Sequence, residues 1–374
     1  MGNPLVEVQR FGQSIWYDNI SRGLVTSGEL RRMVEQDGLL GVTSNPAIFQ
    51  KAMAGSDDYL PATRALIEQG VEDPVEIFER LAIEDIQLAA DVLRPVHRAT
   101  ARRDGYVSLE VSPRLADDTE GTLADARRLW GAVGRENLMI KVPATDAGIP
   151  AIEQLIAEGV NVNVTLLFAV DAYARVVEAW LGGLERRAAG GGELAGVASV
   201  ASFFVSRIDT LLDDRIRAHG DRGLQSLSGR IAIANARLAY AHFLEIVRSP
   251  RWQALAARGA QVQRVLWAST STKNPAYPKT LYVDELIGPH TVNTLPGETF
   301  EAFKKTGRPR NFLGEGFEAQ LAEARAQVAR LEAAGISLGQ ATDELLADGV
   351  RKFVEPFDSL LATITRRRDE ILGR

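Results

Sequence analysis

Short apolar segments alternate with longer amphipathic segments along most of the chain, and this alternation limits the fold more than any other feature. Several short segments are rich in Val and Ile and apolar nearly throughout, as expected of parallel strands buried on both faces. The eight candidate strands are Ser14–Ile20, Gly38–Asn45, Tyr106–Val111, Leu138–Val142, Val160–Leu167, Val197–Val205, Arg264–Ser269 and His290–Thr294. The candidate helices between them include Ile77–Ala99, Leu123–Trp130, Ile149–Ala157, Ala172–Leu184 and Ile231–Val247. Strands separated by helices in this way predict an α/β fold, a closed (β/α)₈ TIM barrel over roughly the first 300 residues.

The alternative to a barrel is a doubly wound open sheet, but no candidate strand leads into a Gly-x-Gly-x-x-Gly turn. From Gly314 onward the chain has a helical pattern, in Phe317–Ala333 and in Ala341–Leu372, which contains Pro356. We therefore predict a barrel catalytic domain (1–313) and a C-terminal helical extension (314–374) that packs over one end of the barrel. A helix pair that faces a partner is the alternative for this extension.

Composition excludes several classes of site and partner. The 374 residues include no cysteine and only four histidines, and no two histidines have metal-ligand spacing on one element. We expect no metal and no cofactor. A net charge of −6 lacks the basic surface of a nucleic-acid binder. No apolar run reaches the ~18 residues that suggest a membrane span, and the N-terminus has no cleavage signature, so we expect a cytoplasmic protein without a membrane partner.

Lysine is rare, and one lysine has an unusual position. Only seven of the 43 cationic residues are lysines, yet Lys141 lies inside the apolar strand candidate Leu138–Val142. Burial of an amine favours its neutral form, which is the form that Schiff-base chemistry needs and that arginine cannot supply. A lysine that extends to solvent or pairs with a carboxylate is an equally good explanation from position alone.

Polar residues occur at or near the C-terminal part of each of the first six strand candidates. Any one of them has a simpler explanation, because an Asn before proline suits a turn and an Asp can cap a helix. Together they predict a site at the end of the barrel where barrel enzymes hold their catalytic residues. The residues, in chain order, are Asp18, Asn45, Glu110, Lys141, the pair Asn163 and Thr165, which share one face of a strand, and Ser202 with Arg207 just after it.

Four segments of the sequence closely resemble those of transaldolases. They are Gly41–Pro46 (GVTSNP), Ile140–Thr145 (IKVPAT), Gly159–Phe168 (GVNVNVTLLF) and Ser202–Arg207 (SFFVSR). The segment Leu266–Pro275 looks like the longer bacterial branch of that family. The resemblance spans the predicted barrel from Asp18 to about Asn293.

The resemblance implies a class I aldolase-type barrel that moves a dihydroxyacetone unit between sugar phosphates of the pentose phosphate pathway. Sedoheptulose 7-phosphate or fructose 6-phosphate would be the donor, and glyceraldehyde 3-phosphate or erythrose 4-phosphate the acceptor. By the same resemblance the catalytic residues are Lys141 as the Schiff-base lysine, Asp18 as the base for carbon–carbon cleavage, and Glu110 as the acid/base acting through a water held by Thr165. The predicted substrate-binding residues are Thr43, Asn45, Asn163, Ser202, Arg207, Ser269 and Lys273.

The phosphate site departs from the family pattern. Many transaldolases have a Ser-x-Arg at the seventh strand, whereas here Ser269 is followed by Lys273 as the first cation. A lysine binds phosphate as a point charge rather than through a bidentate fork. Arg207 has a structural alternative, because it could instead pair with Asp209 or Asp213 on the helix that follows.

Two other functions compete with sugar-phosphate transfer. A fructose-6-phosphate aldolase would release free dihydroxyacetone, but those proteins are much shorter and lack the carboxylate that matches Glu110. A catalytically silent barrel that recruits a partner through its C-terminal helices would be expected to lack Lys141, Asp18 or Glu110, and all three are present. A homodimer is the candidate assembly.

Overall fold

The computed structural model describes residues 2–314 and 316–374. Eight parallel strands close into a barrel in sequence order, and β1 pairs with β8. The predicted (β/α)₈ TIM barrel is confirmed. The strands are β1 (Gln13–Tyr17), β2 (Gly41–Val42), β3 (Tyr106–Glu110), β4 (Leu138–Pro143), β5 (Val162–Leu167), β6 (Ser199–Phe204), β7 (Arg264–Ala268) and β8 (Thr291–Leu295).

Helices follow the strands and cover the outside of the barrel. They are α1 (Pro4–Glu7), α2 (Arg22–Thr26), α3 (Glu29–Asp37), α4 (Pro46–Ala54), α5 (Leu60–Glu68), α6 (Pro74–Ala99), α7 (Thr119–Val133), α8 (Gly148–Glu158), α9 (Val170–Ala189), α10 (Ser206–His219), α11 (Ile231–Arg248), α12 (Pro250–Ala256), α13 (Leu281–Asp284), α14 (Gly297–Thr306), α15 (Phe317–Ala333) and α16 (Leu338–Leu372). None of these helices combines the length and the apolarity that crossing a bilayer requires.

The apolar strand pattern arises from burial on both faces. Every residue of β4, β5 and β6 is buried, because one face lies against the barrel interior and the other against the helices. The predicted second strand was too long, since only Gly41–Val42 pairs with its neighbours. Beyond it the Asn45 side chain caps α4 and Pro46 occupies its first turn, so the chain turns into a helix instead of extending the strand.

A buried ion pair closes the N-terminal end of the barrel. Asp104, which precedes β3, accepts hydrogen bonds from Arg264 Nη2 at 2.9 Å, Trp16 Nε1 at 3.0 Å and Ser14 Oγ at 2.9 Å. Arg264 also donates to Ser14 Oγ and to the Arg103 carbonyl. Both oxygens of the carboxylate are therefore paired, which is the condition for burying a charge at low cost.

The two C-terminal helices pack on different parts of the barrel. Phe317 of α15 makes an edge-to-face contact with Tyr240 of α11. Helix α16 crosses the C-terminal side, where Phe357 packs on Phe78 and Arg367 donates to the Met53 carbonyl. The proposed division into residues 1–313 and 314–374 stays a prediction, and both ranges include a position, 1 or 315, outside the described residues.

Candidate active site

A pocket of about 180 Å³ opens at the C-terminal end of the barrel strands. Its walls include nine of the eleven residues predicted for the site: Asp18, Thr43, Asn45, Lys141, Thr165, Ser202, Arg207, Ser269 and Lys273. The other two, Glu110 and Asn163, are not part of the pocket wall. They lie on the strands beside Lys141, because the register pairs Lys141 with Glu110 on one side and with Asn163 on the other.

Lys141 is held inside the pocket by β4. Its residue is 5% exposed, and its Nζ donates a hydrogen bond of 3.1 Å to the Ser44 carbonyl. The Nζ lies 3.6 Å from Glu110 Oε2, which is an ion-pair distance but longer than a hydrogen bond. In the part of the chain that the structure describes, Glu110 is the one carboxylate within 4 Å of this amine, and the ion pair between them is loose.

Glu110 is a buried carboxylate with little compensation. Burial raises its pKa to about 7, and the Lys141 charge opposes this shift only in part. Within the described residues, Glu110 Oε2 and Thr165 Oγ1 are both buried without a hydrogen-bond partner. Two such atoms on either side of a lysine suit a bridging water, and a carboxyl with a pKa near neutrality can both give and take a proton.

Asp18 directly follows β1 and is oriented by a chain of hydroxyl groups. Thr294 and Thr43 are joined by a 2.6 Å hydrogen bond, and Thr43 Oγ1 donates to Asp18 Oδ1 at 2.6 Å. Burial raises the pKa of Asp18, while Lys141, the Thr43 hydrogen bond, Arg207 and Lys273 act in the opposite direction. Asp18, which follows β1, and Glu110, on β3, therefore both lie near one amine but have different hydrogen-bond environments, as two proton-transfer groups with separate roles require.

The two asparagines have different positions. Asn45 lies on the pocket wall, and its side-chain oxygen accepts from the Ile48 backbone as the cap of α4, so its amide nitrogen is the group that could donate to a ligand. Asn163 is fully buried behind the wall, where it donates to Ser108 Oγ at 3.0 Å and accepts from Ser202 Oγ at 2.7 Å. Asn163 thus fixes Ser202, which does face the pocket.

Two cations, Arg207 and Lys273, lie on the pocket wall. The Arg207 guanidinium, at the start of α10, stacks on the Phe204 ring at 5.2 Å, and its Nη1 is buried without a partner in the described part of the chain. Burial lowers the pKa of Arg207, and Asp348 and Asp18 partly oppose this. Lys273 lies on the loop after β7 and donates to Ser271 Oγ at 2.6 Å.

The structural alternative for Arg207 is wrong. Asp209 accepts from the Ala232 backbone and from Tyr282, and Asp213 accepts from the Gly229 backbone and from Tyr277. Both carboxylates are thus occupied by groups other than the Arg207 guanidinium. Ser269, also on the pocket wall, has a positive φ of 54°, an uncommon conformation for a residue with a side chain and one that concentrates at functional sites.

Sequence reasoning missed six residues of the pocket wall, which are Phe204, Ala268, Ser271, Thr294, Pro296 and Phe353. Phe204 was inside a recognised segment but looked like an ordinary core residue. Phe353 comes from α16, and no local pattern indicates that this helix reaches Lys141. No group of three or more His, Asp or Glu side chains in residues 2–314 and 316–374 is arranged to hold a metal ion.

Comparison with known proteins identifies the family. The model of the transaldolase/fructose-6-phosphate aldolase family matches residues 15–364. The chain belongs to the transaldolase/fructose-6-phosphate aldolase family. It is therefore an enzyme, and the prediction of a transaldolase-type transferase is confirmed as to the class of enzyme.

Curated relatives from distant bacteria agree with this assignment. The chain is 48% identical to a protein named transaldolase 2 from Nostoc sp., over 97% of both chains. It is 48% identical to a transaldolase of Acidothermus cellulolyticus, over 98% of this chain and 97% of the relative. It is 47% identical to a transaldolase of Neisseria meningitidis, over 96% and 99% respectively.

Proposed function

We propose that this enzyme transfers a dihydroxyacetone unit from a ketose phosphate to an aldose phosphate through a Schiff base on Lys141. Sedoheptulose 7-phosphate and fructose 6-phosphate are the proposed donors, and glyceraldehyde 3-phosphate and erythrose 4-phosphate the acceptors, as in the pentose phosphate pathway. The observation that carries this proposal is a buried lysine whose Nζ is 3.6 Å from Glu110, in the pocket that Asp18 also lines.

Imine formation requires a neutral amine and a group that exchanges protons with the carbonyl oxygen. The Lys141 Nζ adds to the ketose carbonyl carbon, and the carbonyl oxygen leaves as water. Glu110, with its pKa raised to about 7, gives and takes the protons of these steps through a water shared with Thr165. The resulting iminium withdraws electrons from the neighbouring carbon–carbon bond.

Cleavage requires a base on the side of the C4 hydroxyl. Asp18 takes the proton of this hydroxyl, the C3–C4 bond breaks, and its electron pair moves toward the iminium nitrogen. The hydroxyl chain from Thr294 through Thr43 fixes the Asp18 carboxylate during this step. The aldose phosphate leaves, and the three-carbon unit stays on Lys141 until the acceptor arrives.

Hydroxyl and phosphate binding complete the proposal. Asn45 and Ser202 hold the hydroxyls of the three-carbon unit, with Asn163 behind Ser202. Arg207 and Lys273 bind the terminal phosphate, with Ser269 as an added donor. Arg207 Nη1 supports this, because it is buried without an acceptor among residues 2–314 and 316–374, and such a nitrogen gains much from an anion.

The second half of the family name gives the rival activity, release of free dihydroxyacetone. Glu110 favours transfer, by the resemblance stated above, and the curated relatives named above are transaldolases. The cytoplasmic location and the homodimer stay predictions.

Borohydride trapping tests the proposed function. The enzyme is reduced with sodium borohydride in the presence of fructose 6-phosphate, digested and mapped by peptide mass. We expect a three-carbon adduct on Lys141 and no adduct in Lys141→Arg, because a guanidinium stays protonated. An adduct on Lys273, or none with any ketose phosphate, would contradict the mechanism. A parallel assay of erythrose 4-phosphate transfer against free dihydroxyacetone separates the two family activities.

A further inference from the structure

One aromatic ring from the C-terminal helix lies directly against the proposed Schiff-base lysine. The Phe353 ring centroid is 5.4 Å from Lys141 Nζ, and the residue is 5% exposed. The other ring of the pocket wall, Phe204, instead stacks on the Arg207 guanidinium. The two rings therefore contact different cations, and only Phe353 is placed beside the reacting nitrogen.

A glycine one turn earlier explains how α16 comes so close to the barrel. Gly349 and Phe353 are four residues apart and thus on the same face of the helix. A Cβ at Gly349 would lie 2.9 Å from Leu166 Cδ2 and 3.6 Å from Phe168 Cε2, so any larger residue would press on the barrel mouth. Leu166 itself has a positive φ of 59°, at an irregularity of the β5–β6 pairing directly after Thr165. The barrel mouth and α16 thus fit closely at the position that seats Phe353.

We propose that Phe353 is a specificity-determining residue that keeps water from the Lys141 imine between the two half-reactions. This inference rests on the proposed function and deepens it. Loss of the three-carbon unit requires the enamine carbon to take up a proton, which gives the iminium. Water then adds its oxygen to the iminium carbon and gives up a proton, after which the carbon–nitrogen bond breaks and releases dihydroxyacetone and the amine. Transfer instead requires the enamine carbon to attack the acceptor aldehyde. Phe353 disfavours the first course because an apolar ring offers a water no hydrogen-bond partner.

The test is the ratio of free dihydroxyacetone released to erythrose 4-phosphate consumed, measured in one reaction with fructose 6-phosphate. We expect Phe353→Ala to raise this ratio by about tenfold, since it removes the apolar cover that excludes water from the imine. Phe353→Leu keeps a smaller apolar cover, so its ratio should lie between those of the wild type and Phe353→Ala. If the alanine variant does not fold, the leucine variant alone tests the role of Phe353.

Phe357→Ala is the matched control. Phe357 is on the same helix, one turn further on, and 4% exposed, but its ring packs on Phe78 and Arg114 outside the Lys141 pocket. Its truncation costs similar burial and should leave the ratio at the wild-type value. An equal rise in Phe357→Ala, or no change in Phe353→Ala, would overturn the inference.

Trapping separates this inference from the function on which it rests. If the wild type gives no borohydride adduct on Lys141, the proposed function itself fails. If the wild type and Phe353→Ala both give the adduct while their ratios are equal, only the role of Phe353 fails.

Discussion

The two ends of the barrel bury carboxylates in opposite ways. At the N-terminal end Asp104 receives hydrogen bonds from Arg264, Trp16 and Ser14, and these partners outweigh burial and lower its pKa. At the C-terminal end Glu110 has a cation at 3.6 Å, its Oε2 has no hydrogen-bond partner among the described residues, and burial raises its pKa to about 7. Hydrogen-bond partners, and not burial, decide the direction of the shift.

This difference distinguishes a carboxylate with a structural role from one that can transfer a proton. A carboxylate with both oxygens paired holds strands together but has no reason to exchange a proton at neutral pH. A carboxylate left underpaired costs stability, and its proton becomes available near pH 7. At the C-terminal end, where strand ends and loops form the pocket, the barrel thus keeps Glu110 although its burial is unfavourable. At the N-terminal end the charge of Asp104 is compensated by its partners.

Glu110→Gln should have the largest effect of the changes that test this contrast. Imine formation and hydrolysis should slow by roughly 10²–10⁴-fold, since the amide cannot transfer the proton. The free energy of unfolding should meanwhile rise by about 0.5–2 kcal/mol, because a buried charge is removed. Single-turnover trapping gives the rate, and urea unfolding gives the stability. A variant of normal rate and lower stability would show that Glu110 is structural.

Asp104→Asn should have the opposite pattern, with a loss of stability and little change in rate. It leaves the buried Arg264 charge without its anion, which costs about 3–5 kcal/mol of unfolding free energy. The kcat per folded molecule should stay close to the wild-type value, because the ion pair lies at the other end of the barrel. Urea unfolding and activity on the same preparation check both parts. Loss of kcat in fully folded protein would mean that the two ends are coupled.

The sequence predicted the parts of this arrangement that rest on local pattern. The apolar runs predicted eight strands, and polar residues in or just after them predicted six residues of the pocket wall. The family resemblance added Thr43, Ser269 and Lys273. Period 2 placed Asn163 and Thr165 on one face, but it says nothing of depth. Asn163 therefore proved to lie behind Ser202 rather than on the wall.

The contacts that depend on distant segments could not be predicted. The shortness of the second strand follows from the Asn45 cap and from pairing that only the closed barrel defines. Phe353 reaches Lys141 because α16 crosses the barrel mouth at Gly349. The local sequence around these two residues is that of any amphipathic helix and does not indicate where α16 packs. Likewise, only the structure shows that Asp209 and Asp213 accept from other donors, which leaves Arg207 Nη1 without a partner in the described part of the chain.

Arg207→Ala tests the two cations of the pocket wall and should have a smaller effect. A hydrogen bond to a charged group contributes about 1.5–3 kcal/mol, so the KM for fructose 6-phosphate should rise roughly 10–150-fold. The weak reaction with unphosphorylated fructose should be nearly unchanged and serves as the control. Lys273→Ala should act in the same direction but less, since its side chain is exposed. Equal loss with both sugars would assign Arg207 a structural role.

The pH dependence of stability should show the smallest effect and the clearest sign. Glu110 has a folded pKa of about 7, above its ordinary value of 4.5, so its cost to stability is absent below pH 4.5, grows as the pH rises, and is complete above 7. The stability advantage of Glu110→Gln over the wild type should therefore grow by roughly 1–2 kcal/mol between pH 5 and 8. Urea unfolding at several pH values measures it.

Asp104 supplies the control, because its shift has the other sign. Its folded pKa is below the ordinary 3.8, so its stabilising effect is fully present above that value and is lost only as the pH falls through the folded pKa. The stability difference between the wild type and Asp104→Asn should accordingly be flat from pH 5 to 8 and shrink in acid. Asp18 is present in the wild type and in both variants, so its contribution to the pH dependence cancels in each stability difference. If the Glu110→Gln difference is also flat from pH 5 to 8, Glu110 is ionised throughout that range, and the contrast between the two ends of the barrel does not hold.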